Sequence, residues 1–229
     1  MDLQDFKNGQ VILIDKPLKW TSFQVVNKIR WHLRKKFNIK KIKVGHAGTL
    51  DPLATGLLIL CTGQFTKKIE EFQAQRKEYT GTFVLGATTP SYDMETEVDA
   101  TFATAHIGKA EIRKAVGQFL GEIDQKPPIF SAIKKEGKRL YELAREGKTT
   151  EIKSRKVNII SFDILKVEMP EVSFRVVCSK GTYIRSLAFD FGKSLDSGAY
   201  LSSLRRTGIG AFNVENALSI EGFLQENDL

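Results

Sequence analysis

The segment with the clearest chemical potential is a loop around one carboxylate, Asp51, in the run Gly-His-Ala-Gly-Thr-Leu-Asp-Pro-Leu-Ala-Thr-Gly. Gly45, Gly48 and Gly56 permit backbone conformations or close approaches that a Cβ would block. Pro52 biases Asp51 toward an extended conformation. A carboxylate held on a rigid loop can act as a nucleophile or a general base.

A turn aspartate that caps a backbone amide is the alternative interpretation of Asp51. The density of glycine around it, and His46 five positions before it, favour a catalytic role. A carboxylate that stays ionised in a closed pocket needs a cationic partner, because burial raises its pKa. The chain offers many arginines, and spacing alone leaves the choice of partner open.

Other chemistries have little support in the sequence. Gly81 and Gly86 have the spacing of a phosphate-binding loop, but Ala-Thr follows in place of Lys-Ser/Thr. His32, His46 and His106 are isolated and lack the paired spacing of metal ligands. We therefore predict no metal site. His32 lies in a basic stretch, which predicts a solvated side chain or a phosphate contact.

Basic residues are clustered in a chain whose formal net charge is +8. Lys28–Lys43 contains eight basic and no acidic residues, and Lys134–Lys156 contains nine basic and four acidic ones. Such clusters are typical of surfaces that bind nucleic acid. A compact acidic patch lies between them, formed by Asp93, Glu95, Glu97 and Asp99.

The loop must be positioned by the elements around it. Gln10–Ile14 predicts a strand, Thr21 or Ser22 begins a helix to about Asn38, and Leu57–Thr62 predicts a buried strand. The predicted apolar stripe of that helix is Phe23, Val26, Ile29, Leu33 and Phe37. After the loop, helices are predicted near Thr66–Phe72, over Lys109–Leu120, around Leu140–Arg145 and over Thr182–Lys193, with a last one capped by Ser219. Strands are predicted over Lys77–Leu85 and Tyr200–Phe212, with two more within Val157–Cys178. A loop is predicted over 86–106, and an exposed segment over Asp124–Lys138. This order lacks a βαβ rhythm, which favours an α+β fold with a mixed, largely antiparallel sheet.

Length and composition predict a soluble globular protein, built as one large domain or two small ones. The chain is 41% hydrophobic and 27% charged, and its apolar runs are shorter than a membrane span. The N-terminus lacks the pattern of a signal peptide, which predicts a cytoplasmic protein. Cys61 and Cys178 are too few for a disulfide framework, so we expect both to be reduced, buried strand residues.

Several segments, in this order, carry a family resemblance over about residues 10–213. They are Asp15-Lys16-Pro17 before a Ser/Thr and a helix, the Asp51 loop, Lys77-Glu78-Tyr79 leading into Phe83–Gly86, Gln125–Lys134 with Gly137–Tyr141, Cys178–Leu187 and Leu204-Arg205-Arg206. Together they resemble the motifs of the TruB family of pseudouridine synthases, which make pseudouridine-55 in the T loop of tRNA. The resemblance implies the pseudouridine synthase fold, as a single catalytic domain over residues 1–229.

The resemblance also implies roles for individual residues. Asp51 matches the catalytic aspartate, Arg185 the arginine that pairs with it, and Tyr79 the tyrosine that stacks on the target base. Three positions match residues that contact or support the substrate: His46, Lys16 and Leu204. The implied contacts with RNA phosphates are Lys28, Arg34, Lys35, Lys134, Lys138 and Arg139. The last three lie in an RNA-facing insertion at about 124–152.

The implied reaction is an isomerisation of a flipped-out uridine, which needs no cofactor. Whether the carboxylate attacks the base or the sugar, or removes the C2′ proton, stays open. The implied partner is the T stem-loop of tRNA, with no membrane and no obligate protein partner, and a monomer is expected. Ala47 stands where many members have threonine. Only about sixteen residues follow Asn213, so we expect no C-terminal PUA-type RNA-binding domain.

Two alternatives remain beside this interpretation. The RNA-guided branch of the superfamily, which modifies ribosomal RNA, resembles Asp-Pro-Lys-Val-Thr-Gly after its aspartate, whereas this chain has Asp-Pro-Leu-Ala-Thr-Gly. A catalytically idle RNA-binding or tRNA-folding module on the same fold is the second. Intact Asp51, Tyr79 and Arg185 argue against an idle module.

Overall fold

The computed structural model describes residues 2–131, 134–135, 138–139 and 152–227. The chain forms two compact units: unit 1 is Met1–Thr80 with Leu204–Leu229, and unit 2 is Gly81–Ser203. Each unit is described separately below. The sequence-based expectation of one catalytic domain stays a prediction.

The regular elements mix short helices with longer strands. The helices are α1 (Leu3–Asn8), α2 (Ser22–Lys36), α3 (Ile69–Ala74), α4 (Lys109–Gly117), α5 (Ile184–Ser194) and α6 (Ile220–Glu226). The strands are β1 (Val11–Lys16), β2 (Val44–His46), β3 (Ala54–Thr62), β4 (Lys77–Leu85), β5 (Ala87–Thr88), β6 (Ala100–Thr101), β7 (Gly121–Gln125), β8 (Lys134–Lys135), β9 (Lys138–Arg139), β10 (Arg155–Glu168), β11 (Glu171–Cys178), β12 (Ala199–Ile209) and β13 (Phe212–Asn213). The 3₁₀ turns are Gly63–Lys68 and Val214–Asn216.

Unit 1 is organised around β3, which is buried along almost its whole length. β1 pairs with β3 antiparallel from Val11↔Cys61 to Lys16↔Gly56, and β2 pairs antiparallel with the far end of β3. The middle of β12 runs parallel to β3, in the register Leu204↔Ala54. Apolar clusters cover both faces of β3, which explains why its sequence is continuously apolar instead of alternating.

Helix α2 packs one face on this sheet and exposes the other. Thr21 caps it, and the Thr21 and Gln24 side chains each bond the other residue's backbone N–H, which confirms the predicted start. The prediction for Phe23 is wrong, because its side chain is 63% exposed and Val25 faces the core instead. Val25 lies about 200° around the helix from Phe23, so the two cannot share a face.

The prediction that His32 is solvated is also wrong. His32 is buried, its Nε2 lies 3.3 Å from the carbonyl oxygen of Asn227, and its ring meets Phe223 edge-on at 6.3 Å. Helix α6 supplies both the ring and the end at which Asn227 lies. The nearby Lys28, Arg34 and Lys35 are exposed, so the basic surface of α2 does not include His32.

Unit 2 contains an antiparallel sheet on which helices pack. β10 pairs antiparallel with β11 along most of its length and with β7 through Arg155–Ile159. An aromatic cluster fills its core: Phe83 stacks on Phe174 at 4.1 Å, and Phe191 of α5 lies 5.5 Å from Phe83. Among the strand registers given above, β3 with β12 is parallel and the others are antiparallel, which confirms the predicted α+β class with a largely antiparallel sheet.

Part of the predicted exposed segment is buried. Gln125, Pro127 and Pro128 are buried. The Gln125 amide bonds both backbone groups of Tyr183: Nε2 donates to the carbonyl at 3.0 Å, and Oε1 accepts from the N–H at 2.8 Å. The predicted loop over 86–106 contains the short β5–β6 pair. The predicted helix around Leu140–Arg145 lies outside the described residues.

Two further expectations can be compared with the described residues. Cys61 and Cys178, the two cysteines of the chain, are buried strand residues that form no disulfide, as predicted. None of the helices in the described ranges is long and apolar enough to cross a membrane.

Candidate active site

The loop that carries Asp51 connects β2 to β3 and is fastened at its centre by α2. The Ser22 hydroxyl, in the first turn of α2, accepts from the Leu50 N–H at 2.9 Å and donates to the Leu50 carbonyl at 3.2 Å. The Ala54 N–H donates to the Asp51 carbonyl at 3.0 Å. These bonds fix the backbone on both sides of the carboxylate, so the predicted rigidity of the loop has a specific cause.

Arg206 fastens the same loop from the other side. Its guanidinium is almost completely buried, and it donates from Nε to the Leu57 carbonyl at 2.8 Å and from Nη2 to the Gly48 carbonyl at 3.1 Å. The parallel register brings Arg206 against Gly56, where a Cβ would lie 2.7 Å from the Arg206 backbone nitrogen. Gly56 also has φ +104°, so glycine is required at this position.

The neighbouring arginine points the other way, because side chains alternate along a strand. Arg205 forms a two-pronged ion pair with Asp15, at 3.0 Å between Nη1 and Oδ1 and 2.6 Å between Nη2 and Oδ2. Both side chains are partly exposed. Of these two consecutive arginines, Arg206 therefore contacts the Asp51 loop, and Arg205 contacts β1.

Lys16 is a fully buried cation in the same unit as Asp51. Its ammonium donates to the carbonyls of Pro17 at 3.0 Å and Trp20 at 2.6 Å. Burial lowers the pKa of Lys16 from 10.5 to about 8, while the charge of Asp51 acts in the opposite direction. Lys16 and Asp51 are thus close enough to interact electrostatically, so the charge of Lys16 can act on the Asp51 carboxylate.

His46 lies at the end of β2, immediately before the loop, and is partly buried. Burial, and then the positive charge of Arg206, lower the pKa of His46 below its usual 6.5. The imidazole is therefore neutral near pH 7 and can both donate and accept a hydrogen bond. A neutral group is suited to holding a nucleobase or a ribose hydroxyl.

Tyr79 and Leu204 complete the predicted residues of unit 1. Tyr79 lies on β4 and is 8% exposed, so its ring is largely enclosed. Leu204 is half-buried on β12 and pairs with Ala54, three residues after Asp51. Unit 1 thus gathers Leu204, Lys16 and His46 around the elements that hold the Asp51 loop.

Arg185 lies in unit 2, in the first turn of α5. Its side chain is 4% exposed, with Nε 3.6 Å from Oδ2 of Asp93 and Nη1 donating to the Ser91 carbonyl at 3.3 Å. The Glu95 N–H donates to Oδ1 of Asp93 at 2.9 Å, which orients that carboxylate toward the arginine. Asp93, one of the four residues of the acidic patch in the sequence, is therefore a buried partner of Arg185.

The predicted pairing of Asp51 with Arg185 stays a prediction. The roles of Asp93 and Arg206 were missed from sequence, because the partners that reveal these roles are far away in the chain. Arg206 was noted only as part of the Leu204-Arg205-Arg206 motif, and Asp93 only as part of the acidic patch.

The predicted RNA contacts fall in two groups. Lys28, Arg34 and Lys35 are exposed on α2, which agrees with a solvent-facing basic surface. Lys134, Lys138 and Arg139 lie on β8 and β9, whose backbones pair antiparallel as Lys134↔Arg139. The side chains of that second group lie outside the described residues. Across the described ranges, no three His, Cys, Asp or Glu side chains are grouped so that they could bind a metal ion.

Comparison with known proteins first defines the class. In a solved structure described as a Cbf5-Nop10-Gar1 complex, one chain matches this fold with a TM-score of 0.72 and 29% identity, over 97% of this chain and 55% of that chain. This match, together with the Asp51 loop that Ser22 and Arg206 fasten, defines a pseudouridine synthase fold.

The family follows from sequence. Residues 34–184 match the model described as TruB family pseudouridylate synthase (N terminal domain). The chain is 64% identical to tRNA pseudouridine synthase B of Flavobacterium johnsoniae over 224 residues, which cover 97% of this chain and 98% of that protein. It is 56% identical to tRNA pseudouridine synthase B of Phocaeicola vulgatus over 219 residues, covering 96% and 93%. The chain belongs to the TruB family.

Proposed function

We propose that this chain converts uridine-55 in the T loop of tRNA to pseudouridine, with Asp51 as the catalytic carboxylate. The observation that carries the proposal is its 64% identity, over nearly the full length of both chains, to a tRNA pseudouridine synthase B. A carboxylate loop fastened by Ser22 and Arg206 agrees with it. We further propose that the enzyme acts as a monomer in the cytoplasm, without an obligate protein partner.

The reaction rearranges one nucleotide without changing its atoms. The N1–C1′ bond breaks, the uracil turns within the pocket, a C5–C1′ bond forms, and the proton lost from C5 is balanced by one gained at N1. The base must first leave the stack, because both reacting positions are inaccessible within the folded T loop. Tyr79 is the stacking partner we propose for the extruded uracil, and Leu204 its apolar backing.

Cations must keep Asp51 ionised after the substrate excludes water. Lys16 supplies one positive charge from unit 1. We propose Arg185 as the second, because a guanidinium stays charged at any physiological pH and holds a carboxylate in a fixed orientation. Neutral His46 is proposed to hold the T loop while the target base is out.

The decisive assay incubates the purified chain with an unmodified T-arm stem-loop and no guide RNA, and then maps pseudouridine at single-nucleotide resolution. Wild type should modify uridine-55 of the T loop, and Asp51→Asn should reduce the rate constant by at least about 10³-fold while RNA affinity is kept. Asp163→Asn is the matched control, because it removes a half-exposed carboxylate on β10.

Three outcomes would contradict the proposal. Product formation that requires an added guide RNA would favour the RNA-guided alternative. Tight RNA binding by wild type with no product would favour an idle tRNA-folding module. Undiminished product from Asp51→Asn would remove Asp51 from the chemistry.

A further inference from the structure

We propose that the exposed face of α2 carries a stacking platform for a second nucleotide of the tRNA, formed by Trp31 with Lys28 and Lys35. This inference rests on the proposed function and extends it to how the substrate is held. The Trp31 side chain is 55% exposed, although an indole is among the side chains that gain most from burial. The sequence-based predictions leave Trp31 without a role.

Two ammonium groups flank the indole. Nζ of Lys28 lies 5.8 Å from the centroid of the Trp31 ring, and Nζ of Lys35 lies 5.2 Å from it. The lysines are three residues before and four residues after Trp31, so all three side chains share one stripe along the helix. The buried side of α2, with Val25 and Ile29 in the core, fixes the direction of that stripe.

An aromatic face between two cations matches the chemistry of a nucleotide in an unpaired strand. Such a base has a π-face that stacks on an aromatic ring, and its neighbouring phosphates need positive charge. Between Asp15 and Asp51 the sequence contains no acidic residue, so α2 itself contributes no charge that repels a polyanion. The lysine stems are flexible, and their ammonium groups can move from the ring to phosphates when a base takes the ring face.

The position of the platform separates it from the reacting nucleotide. Ser22 marks the point at which α2 touches the Asp51 loop, and Trp31 lies nine residues further, about 14 Å along the helix axis. A base on Trp31 is therefore not the target uridine. The platform should contribute to RNA affinity and leave the chemical step unchanged.

The first test measures equilibrium binding of full-length unmodified tRNA by Trp31→Ala. We expect affinity to fall about tenfold, within the range for loss of one stacked base. Trp31→Tyr should stay within about twofold of wild type, because a ring remains. Phe23→Ala is the matched control, since Phe23 is a similarly exposed aromatic on the same helix but outside the stripe. The single-turnover rate constant at saturating tRNA should be unchanged in all three variants.

Unchanged affinity of Trp31→Ala, or an equal loss for Phe23→Ala, would overturn the proposal, because the second result indicates a general apolar docking surface. These readouts are independent of product formation. If wild type makes no pseudouridine but Trp31→Ala still weakens binding, the proposed function fails and the platform stands. If product forms normally and Trp31→Ala binds as tightly as wild type, only the platform fails.

A second test observes stacking directly. The chain contains two tryptophans, so Trp20→Phe leaves Trp31 as the sole indole reporter. Titration with tRNA should quench its fluorescence at the same concentrations that give binding, whereas a contact through phosphates alone should not. Phosphatidylglycerol vesicles are the competing probe. An emission shift with vesicles and no response to tRNA would assign this face to anionic membranes and overturn the proposal.

Discussion

The pKa of Lys16 leads to a prediction in which stability and turnover change in opposite directions. Burial places this pKa near 8 in the folded chain, against 10.5 when the side chain is exposed. Between these values the unfolded chain binds more protons than the folded chain, so the free energy of unfolding rises with pH. From pH 7 to pH 9, this one group should add about 1.3 kcal/mol of stability.

Turnover should fall over the same interval. At pH 9 only about one tenth of folded molecules keep the Lys16 proton, so Asp51 loses a neighbouring positive charge in the rest. We expect the single-turnover rate constant on a saturating T-arm stem-loop to fall about tenfold between pH 7 and pH 9. Urea unfolding at each pH gives the stability for comparison. Ordinary alkaline unfolding would lower both quantities together.

Lys16→Met isolates the contribution of the ammonium group. The change relieves about 3 kcal/mol of burial cost on the charged amine but leaves the Pro17 and Trp20 carbonyls without a donor, at about 1–3 kcal/mol each. Stability at pH 7 should therefore change little, while the rise toward pH 9 should disappear. A wild-type rate constant that stays flat while stability rises would refute the electrostatic role. Flat stability in wild type would refute the lowered pKa itself.

Two further predictions concern the way in which the loop is fastened. Arg206→Lys should lower the free energy of unfolding in urea by about 2 kcal/mol and should lower kcat, because one ammonium cannot reach both carbonyls that the guanidinium bonds. Arg205→Lys is the control, because Arg205 is in a partly exposed ion pair with Asp15, and it should cost less than about 1 kcal/mol of stability. Equal losses in the two variants would contradict the assignment. Gly56→Ala should destabilise by at least about 3 kcal/mol, because the new Cβ meets the Arg206 backbone at a positive φ. Gly117→Ala in α4 has open space and should be neutral or stabilising by about 0.5–1 kcal/mol in thermal unfolding, so a similar loss there would contradict a specific overlap at Gly56.

The elements that sequence predicts well are those that local chemistry determines. The start of α2 follows from the Thr21 cap, and β4 spans Lys77–Leu85 as predicted. The Asp51 loop was recognisable because its glycines and Pro52 are neighbours in sequence. In each case the responsible interactions join residues a few positions apart, and such interactions leave a pattern in the sequence.

The residues that sequence misjudges are those whose partners are distant in the chain. Arg206 bonds a carbonyl 158 residues away, and His32 contacts one 195 residues away. In sequence, Asp93 cannot be distinguished from the other acidic residues of its patch, and only the structure shows that it pairs with Arg185. A charged or polar side chain can be buried only where the fold supplies a hydrogen-bonding or charged partner. The periodicity of the sequence does not indicate which charged residues have such a partner.

Arg206 and Lys16, two buried cations of unit 1, differ in what they can contribute to catalysis. Arg206 directs two of its N–H groups at backbone carbonyls, so its main effect is to fix the loop and, through its charge, to lower the pKa of His46. Lys16 can lose its proton near pH 8. If Lys16 were the only counter-charge of Asp51, the rate constant would continue to fall tenfold for each further pH unit. A plateau above pH 9 would instead require a cation that does not titrate, which is the property for which we propose Arg185.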